Sequence, residues 1–239
     1  MRQFINNLYL EICGGRRKIR KQNRNPIAEW PNDVVSNKMG FDRGTPIDRV
    51  YIARFLQEHK KYITGNVVEI GDNAYTLEYG KNINKSFVLT ADEKLSKCGK
   101  SIIIYGDLQN GKGCQSNIAD CFILTQTFPF IYDINNAARN VMEMLKPGGA
   151  ALITVSGISM ISKYDDERWG HFWGFTETSL RRLFDGIAGR KQIEVYSMGN
   201  PKTASAFIYG LSKEDLDAQD FLMDDALIPV IIGVVVHKL

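Results

Sequence analysis

The chain predicts an α/β fold in which a mostly parallel sheet is covered by helices on both faces. Three observations carry this. Short apolar runs alternate with helical periods from residue 46 onward. Those runs are nearly continuous, as in strands buried on both faces, and lack the apolar–polar alternation of a half-exposed sheet. Two long β-branched segments then close the chain. With 239 residues, 44% of them hydrophobic, one well-filled core is affordable without a second domain.

The elements follow in order. "TPIDRVYIARFLQEHK" is a helix, with Pro46 favourable near its start because a first-turn residue needs no amide hydrogen. The strand candidates are "GNVVEIG" (65–71), "SFVLT" (86–90), "SIIIYGD" (101–107), "DCFILTQ" (120–126) and "GGAALITV" (148–155). Between the last two, "DINNAARNVMEMLKPGG" has apolar residues at 134, 137, 138, 141 and 145, one face of a helix. Asp133 is its expected N-cap and Pro147-Gly148 its expected stop. Thr176 is the expected cap of a further helix, "TETSLRRLFDG". "QIEVYSMG" and "PVIIGVVVHKL" read as the two closing strands. No internal repeat or low-complexity linker interrupts the order. The expected organisation is a basic N-terminal extension, 1–45, and one α/β domain, 46–239.

Charge and cysteine usage narrow the class. The 30 basic and 27 acidic residues nearly balance, so nothing global points to nucleic acid. The asymmetry is local: "GGRRKIRKQNR" gathers Arg16, Arg17, Lys18, Arg20, Lys21 and Arg24. Such a run is either a solvated arm or a contact for anionic lipid or an acidic polymer. Cys13, Cys98, Cys114 and Cys121 form no CxxC pair and no disulfide-scaffold spacing, as expected of a reduced, cytoplasmic chain. No apolar stretch has signal-peptide form, and "ALIPVIIGVVV" is too short to span a bilayer. The expectation is a soluble cytoplasmic protein, with the basic arm a candidate peripheral contact to the inner membrane. No cluster has metal-ligand spacing, and neither a P-loop nor GxSxG occurs, so no metal is expected.

Strand–helix alternations followed by a terminal strand pair resemble the class I S-adenosylmethionine-dependent methyltransferases. The resemblance covers about residues 46 to 239. It is carried by "VVEIGDNAYT", "YGDL", "DCFILTQTFPFIYDINNAARNVMEMLKPGGAALITV" and "WGFTETSLRRLF". It implies a Rossmann-like, mostly parallel seven-stranded sheet with helices on both faces and an antiparallel terminal hairpin strand. More narrowly, "GFDRGTPIDR", "EIGDNAYT", "ILTQTFPFIYD" and "RWGHFWGFT" look like a branch found beside glycosyltransferases in bacterial surface-polysaccharide pathways.

The resemblance implies S-adenosylmethionine as cofactor, bound outside the carboxyl end of strand one at the switch point of the sheet. Glu69 and Gly71 sit there, and Gly71 lets the backbone approach a ligand. Asp72, Asn73 and Ala74 replace the usual further glycines, and Asp and Asn best tolerate left-handed geometry. The cofactor brings no pyrophosphate, so an acidic loop can face its ammonium or sulfonium. The acid expected after strand two is missing from the register that puts Phe87 near that place, and Asp92 is the substitute. Asp107 after strand three is placed to accept from the adenine amino group, with Leu108 packing on the ring. Thr125 and Gln126 end strand four on the cofactor side. The β1 loop also reads as a merely structural turn, Asp92 as a solvated loop acid and Asp107 as a turn former at a strand end.

On the acceptor side, "SGISMISKYDDERWGHFWGFT" shows neither helical nor strand period and mixes aromatic with polar groups. Tyr164, Arg168, Trp169 and Trp173 suit a sugar, whose ring face stacks while its hydroxyls hydrogen-bond. His171 is the candidate general base, since histidine can accept a hydroxyl proton near neutral pH. Asp165 is the second candidate. Arg43, Asp48, Arg49 and Tyr51 form a candidate lid, with Arg43 or Arg49 available to an acidic sugar or phosphate. The leading expectation is an O-methyltransferase for a sugar or glycan hydroxyl, with a glycosyltransferase as candidate partner. The alternative is a non-catalytic relative that binds a glycosyltransferase. An NAD-dependent oxidoreductase is disfavoured because the pyrophosphate fingerprint is absent.

Overall fold

Seven strands form one sheet in a computed structural model that describes residues 30–239. In chain order they are β1 (Gly65–Ile70), β2 (Ile83–Thr90), β3 (Ile102–Tyr105), β4 (Ala119–Thr125), β5 (Leu145–Ser156), β6 (Ile193–Met198) and β7 (Ile231–His237). Their order is β3-β2-β1-β4-β5-β7-β6. Every pairing from β3 to β5 is parallel, and β7 runs antiparallel to both β5 and β6. This is the Rossmann-like, mostly parallel sheet with an antiparallel terminal strand that the sequence predicts. The main helices are α1 (Ile47–His59), α2 (Ala74–Tyr79), α3 (Ile134–Met144), α4 (Lys163–Trp169), α5 (Glu177–Ala188) and α6 (Pro201–Ile208). The sheet lies within a compact unit, Val34–Leu239. The basic run at 16–24, with its expected lipid contact, lies outside the described residues. Among the described residues no helix is long and apolar enough to cross a membrane.

The period of two in the strands builds two cores. Val68, Phe122, Leu124 and Ile153 face α3 and α5, where Val141, Leu180 and Phe184 are buried. Val67, Cys121, Ile123 and Leu152 face α1 and α6, which contribute Ile52, Phe55 and Phe207. Each fully buried large side chain contributes about 1.5–3 kcal/mol. At one point the two layers approach too closely for any side chain on the strand. A Cβ on Gly233 of β7 would lie 2.5 Å from Cδ2 and 2.6 Å from Cε2 of the Phe55 ring. The glycine is a packing device that lets α1 seat its aromatic residue against the sheet.

Helix ends follow their local chemistry. Asp133 caps α3 by accepting from the Asn136 amide, and Thr176 closes a capping box with Ser179 on α5. Three expectations need correction. The α3 helix ends at Met144, before Pro147-Gly148, because Leu145 is already extended and Lys146 precedes proline. "KPGG" then lies inside β5 as an irregular stretch, with a register shift opposite Ala119–Cys121. Phe87 is not at the end of β2: it pairs with Val68 in mid-strand, and the strand runs on to Thr90.

The Gly233 contact gives a measurable consequence. Gly233→Ala is expected to lower stability by about 1–3 kcal/mol, the usual cost of overpacking. A Gly233→Ala/Phe55→Leu double variant should recover part of what the two single variants lose together, as read by urea denaturation.

Candidate functional site

The sheet reverses its direction of winding between β1 and β4, so the crevice forms outside the carboxyl ends of those strands. A cleft of about 710 Å³ opens there. Its floor includes Glu69, Ile70 and Asp72 from the β1 end, and Thr125, Gln126 and Ser156 from the ends of β4 and β5. Tyr164, Asp165 and His171 form part of the same lining. The fold therefore joins two stretches about ninety residues apart in sequence, the β1 loop and the aromatic-polar segment.

The β1 loop is held by a buried acid. Glu69 is 3% exposed, and its carboxylate accepts from the Tyr75 amide (3.0 Å), the Thr76 amide (2.8 Å) and the Thr76 hydroxyl (2.7 Å). Burial pushes its pKa up, the three donors pull it down, and the result is about 7. Asp72 closes the turn locally, its Oδ1 accepting from the Ala74 amide at 2.9 Å. Gly71 adopts φ +79°, donates to the Leu89 carbonyl, and would meet nothing within 4 Å if it carried a Cβ. Its backbone faces open space. Asn73 instead turns inward: it is buried, donates to Ser101 Oγ at 2.8 Å and accepts from Cys98 Sγ at 3.2 Å.

Gln126 is the strained member of the floor. It adopts φ +48°, a left-handed conformation that a non-glycine residue occupies at a cost of order 1–3 kcal/mol. Its amide donates to the Thr154 carbonyl, and its Oε1 accepts from the Ser156 hydroxyl at 2.9 Å. Its Nε2 is buried without a partner. So is Nδ1 of His171, whose ring packs edge-on against Phe130 with centroids 5.2 Å apart. Buried donors and acceptors are rarely left unpaired, so these two atoms mark positions where a ligand has something to satisfy.

The remaining predicted residues lie elsewhere. Asp107 lies in the loop after β3, and both its oxygens are engaged there, by the Gln109 amide and the Asn110 side chain. Leu108 is buried in the apolar core. Asp92 is exposed just past β2, with one oxygen accepting from the Lys94 amide. Arg43 is paired bidentately with Asp215, and Tyr51 is fully buried, its hydroxyl donating to Thr203. Neither is arranged as a lid. Arg168 stacks on Tyr164, with Cζ 3.4 Å from the ring centroid. Trp169 is exposed at the end of α4, and Trp173 donates from its indole to the Ile131 and Tyr132 carbonyls. Among the described residues no group of three or more His, Cys, Asp or Glu side chains is set to hold a metal ion. Sequence reasoning misses Tyr75, Phe130 and Ser156 in the cleft. Ser156 could have been found by the logic applied to Thr125, since it ends the neighbouring parallel strand.

No family model matches the chain. A probable polyketide synthase 10 of Dictyostelium discoideum is 22% identical over 132 residues, which is 53% of this chain and 5% of that protein. The chain thus spans a small fraction of the length of the curated relative it matches. Among solved structures, a SAM-dependent methyltransferase from Archaeoglobus fulgidus superposes with a TM-score of 0.51 at 13% identity, covering 80% of this chain and 94% of that one. The N-methyltransferase NodS of Bradyrhizobium japonicum, in complex with S-adenosyl-L-homocysteine, gives 0.51 at 13%, covering 84% and 94%. A putative S-adenosylmethionine-dependent methyltransferase from Listeria monocytogenes gives 0.50 at 12%, covering 79% and 98%. The chain has the Rossmann-like fold of S-adenosylmethionine-dependent methyltransferases.

The raised pKa of Glu69 makes stability depend on pH in a defined sense. Between the ordinary carboxyl value of 4.5 and about 7, the folded protein holds a proton that the unfolded chain has released. Stability contributed by this group is full below 4.5 and is lost as pH rises through 7. Glu69→Gln should flatten that slope in denaturant midpoints measured from pH 4.5 to 7.5. An unchanged slope would detach the effect from Glu69.

Proposed function

We propose that the chain is an S-adenosylmethionine-dependent O-methyltransferase acting on a sugar or glycan hydroxyl, in bacterial surface-polysaccharide biosynthesis. The observation that carries this is the single cleft at the switch point, lined by both the β1 loop and the segment bearing His171. The polysaccharide assignment is supported by the sequence resemblance of "GFDRGTPIDR", "ILTQTFPFIYD" and "RWGHFWGFT" to that branch.

The residues fit the cofactor. Gly71 leaves open space in front of its backbone, Asp72 adds negative charge for a cationic ligand, and Gln126 Nε2 offers an unused donor. When bound, S-adenosylmethionine supplies an electrophilic methyl group on a sulfonium. The protein's own work is then positioning and proton handling. Glu69 fixes the turn from below and makes no demand on the ligand, because both its oxygens are already occupied. Tyr164, through the face that Arg168 leaves uncovered, and Phe130 offer ring surface to a sugar at the cleft wall. His171 accepts the hydroxyl proton as the acceptor oxygen takes the methyl, and Asp165, also in the lining, is the second base candidate.

A second reading, a non-catalytic relative that binds a glycosyltransferase, is favoured by one observation. Each oxygen of the Asp107 carboxylate, expected on the adenine, already accepts a hydrogen bond within its own loop.

Calorimetric titration with S-adenosylmethionine, followed by methyl transfer to a panel of neutral, acidic and amino sugars, separates the two. The enzyme reading expects cofactor binding and turnover on at least one sugar. His171→Ala should lower turnover on the order of a hundredfold or more while cofactor affinity is kept. Cofactor binding without turnover on any sugar would move the acceptor class elsewhere. No binding at millimolar ligand would favour the non-catalytic reading.

A further inference from the structure

Four acids line the cleft: Asp48, Glu69, Asp72 and Asp165. Three have their oxygens wholly or partly engaged. Glu69 accepts three hydrogen bonds through both oxygens, Asp72 Oδ1 accepts from Ala74, and Asp165 Oδ2 accepts from the Ser162 hydroxyl at 2.6 Å. Asp48 differs. It is 6% exposed, and its Oδ1 has no partner at all.

Its place in the first turn of α1 accounts for the main-chain hydrogen bonds but not for the buried, unpaired Oδ1, since an acid there complements the helix dipole from the surface too, where it keeps its hydration. Here desolvation dominates and pushes the carboxyl pKa up, with the Arg49 guanidinium and nearby amides opposing it. A buried acceptor left unsatisfied costs more than one that was never buried. The next residue, Arg49, also lines the cleft; its guanidinium lies 5.9 Å from the Phe41 ring centroid and interacts with Tyr75 on α2. A carboxylate and a guanidinium thus stand on adjacent residues, in a wall continuous with the Glu69–Ala74 turn. Opposite charges so presented match an α-amino-acid zwitterion.

We propose that Asp48 and Arg49 clamp the amino-acid end of the cofactor, Asp48 accepting from its α-ammonium and Arg49 donating to its α-carboxylate. This rests on the cofactor reading of the cleft. It adds that recognition of the amino-acid end comes from the helix preceding β1 and not from the glycine-poor loop. The loop can then lack two glycines without losing the ligand.

The test is calorimetry of wild-type protein, Asp48→Asn and Arg49→Gln with three ligands. S-adenosylmethionine and S-adenosylhomocysteine both carry the amino-acid end, and only the first carries a sulfonium. Methylthioadenosine lacks the amino-acid end altogether. Asp48→Asn is expected to weaken the first two by the same factor, about tenfold or more, the usual loss for a charged hydrogen bond. Its effect on methylthioadenosine should be under twofold. Arg49→Gln should show the same pattern, and it carries the test by itself if Asp48→Asn fails to fold, as judged by the unliganded melting temperature. Equal affinities in variant and wild type for S-adenosylmethionine would overturn the clamp while leaving the cofactor reading intact. Loss confined to S-adenosylmethionine would assign Asp48 to the sulfonium and overturn the ammonium contact. A wild-type protein that binds neither cofactor form would remove the underlying reading, and the clamp with it.

Discussion

The carboxylate of Glu69 is the contact on which the cleft depends. It stands at the end of β1, out of water, and accepts from two main-chain amides and a hydroxyl at the start of α2. A buried carboxylate is tolerable only when donors replace its hydration, and here three do. The consequence is geometric. Between Glu69 and Thr76 the chain must leave the sheet, turn at Gly71 and return its first helical amides to the same side chain. That closed circuit fixes the loop without a run of glycines. The loop is shaped by the protein's own acid before any ligand arrives.

The other half of the floor is set by strain. Gln126 leaves β4 in a left-handed conformation, stabilised by the Thr154 carbonyl on one side and the Ser156 hydroxyl on the other. Both partners belong to β5, the parallel neighbour of β4 on the side away from the switch point. The adverse backbone geometry aims the carboxamide and leaves its nitrogen without a partner. Strain of this kind persists where surrounding contacts over-determine it, and in this sheet it sits at the place where topology alone locates a binding crevice. The β1 and β4 ends thus contribute different things: a rigid turn from Glu69, and an unsatisfied donor from Gln126.

Most of the sheet was legible because its central strands are apolar on both faces, and two faces leave two signals in one strand. The caps Asp133 and Thr176 were legible because their chemistry is local. What escaped was of another kind. The α4 helix, "KYDDERW", has no apolar stripe and no buried residue; it is held by the Ser162 cap, the Lys163–Glu167 pair and Arg168 on Tyr164. Periodicity cannot reveal a helix that buries nothing. Phe87 was misplaced for the opposite reason: β2 begins in the polar stretch "INK", so a strand read from its apolar half starts too late. Within the site, Glu69, Asp72, Gln126 and His171 could be named from residue type and strand end. That Asp107 spends its carboxylate on Gln109 and Asn110 could not, since one sequence serves a turn and a ligand equally well.

The turn after β1 differs chemically from one built to hold a diphosphate. A dinucleotide would bring its pyrophosphate to the turn after β1, the position occupied here by Glu69 and Asp72, with Asp48 on the adjoining wall. Two like charges about 4 Å apart in an effective dielectric near 20 repel by about 4 kcal/mol. Asp72 sets that repulsion, whereas Glu69, with its pKa raised to about 7 and three hydrogen bonds of its own, adds little to it. For a cationic group the sign of that term reverses. The missing glycines and Asp72 are therefore one feature: the side chain closes the turn through the Ala74 amide, which is then no longer free to cradle an anion.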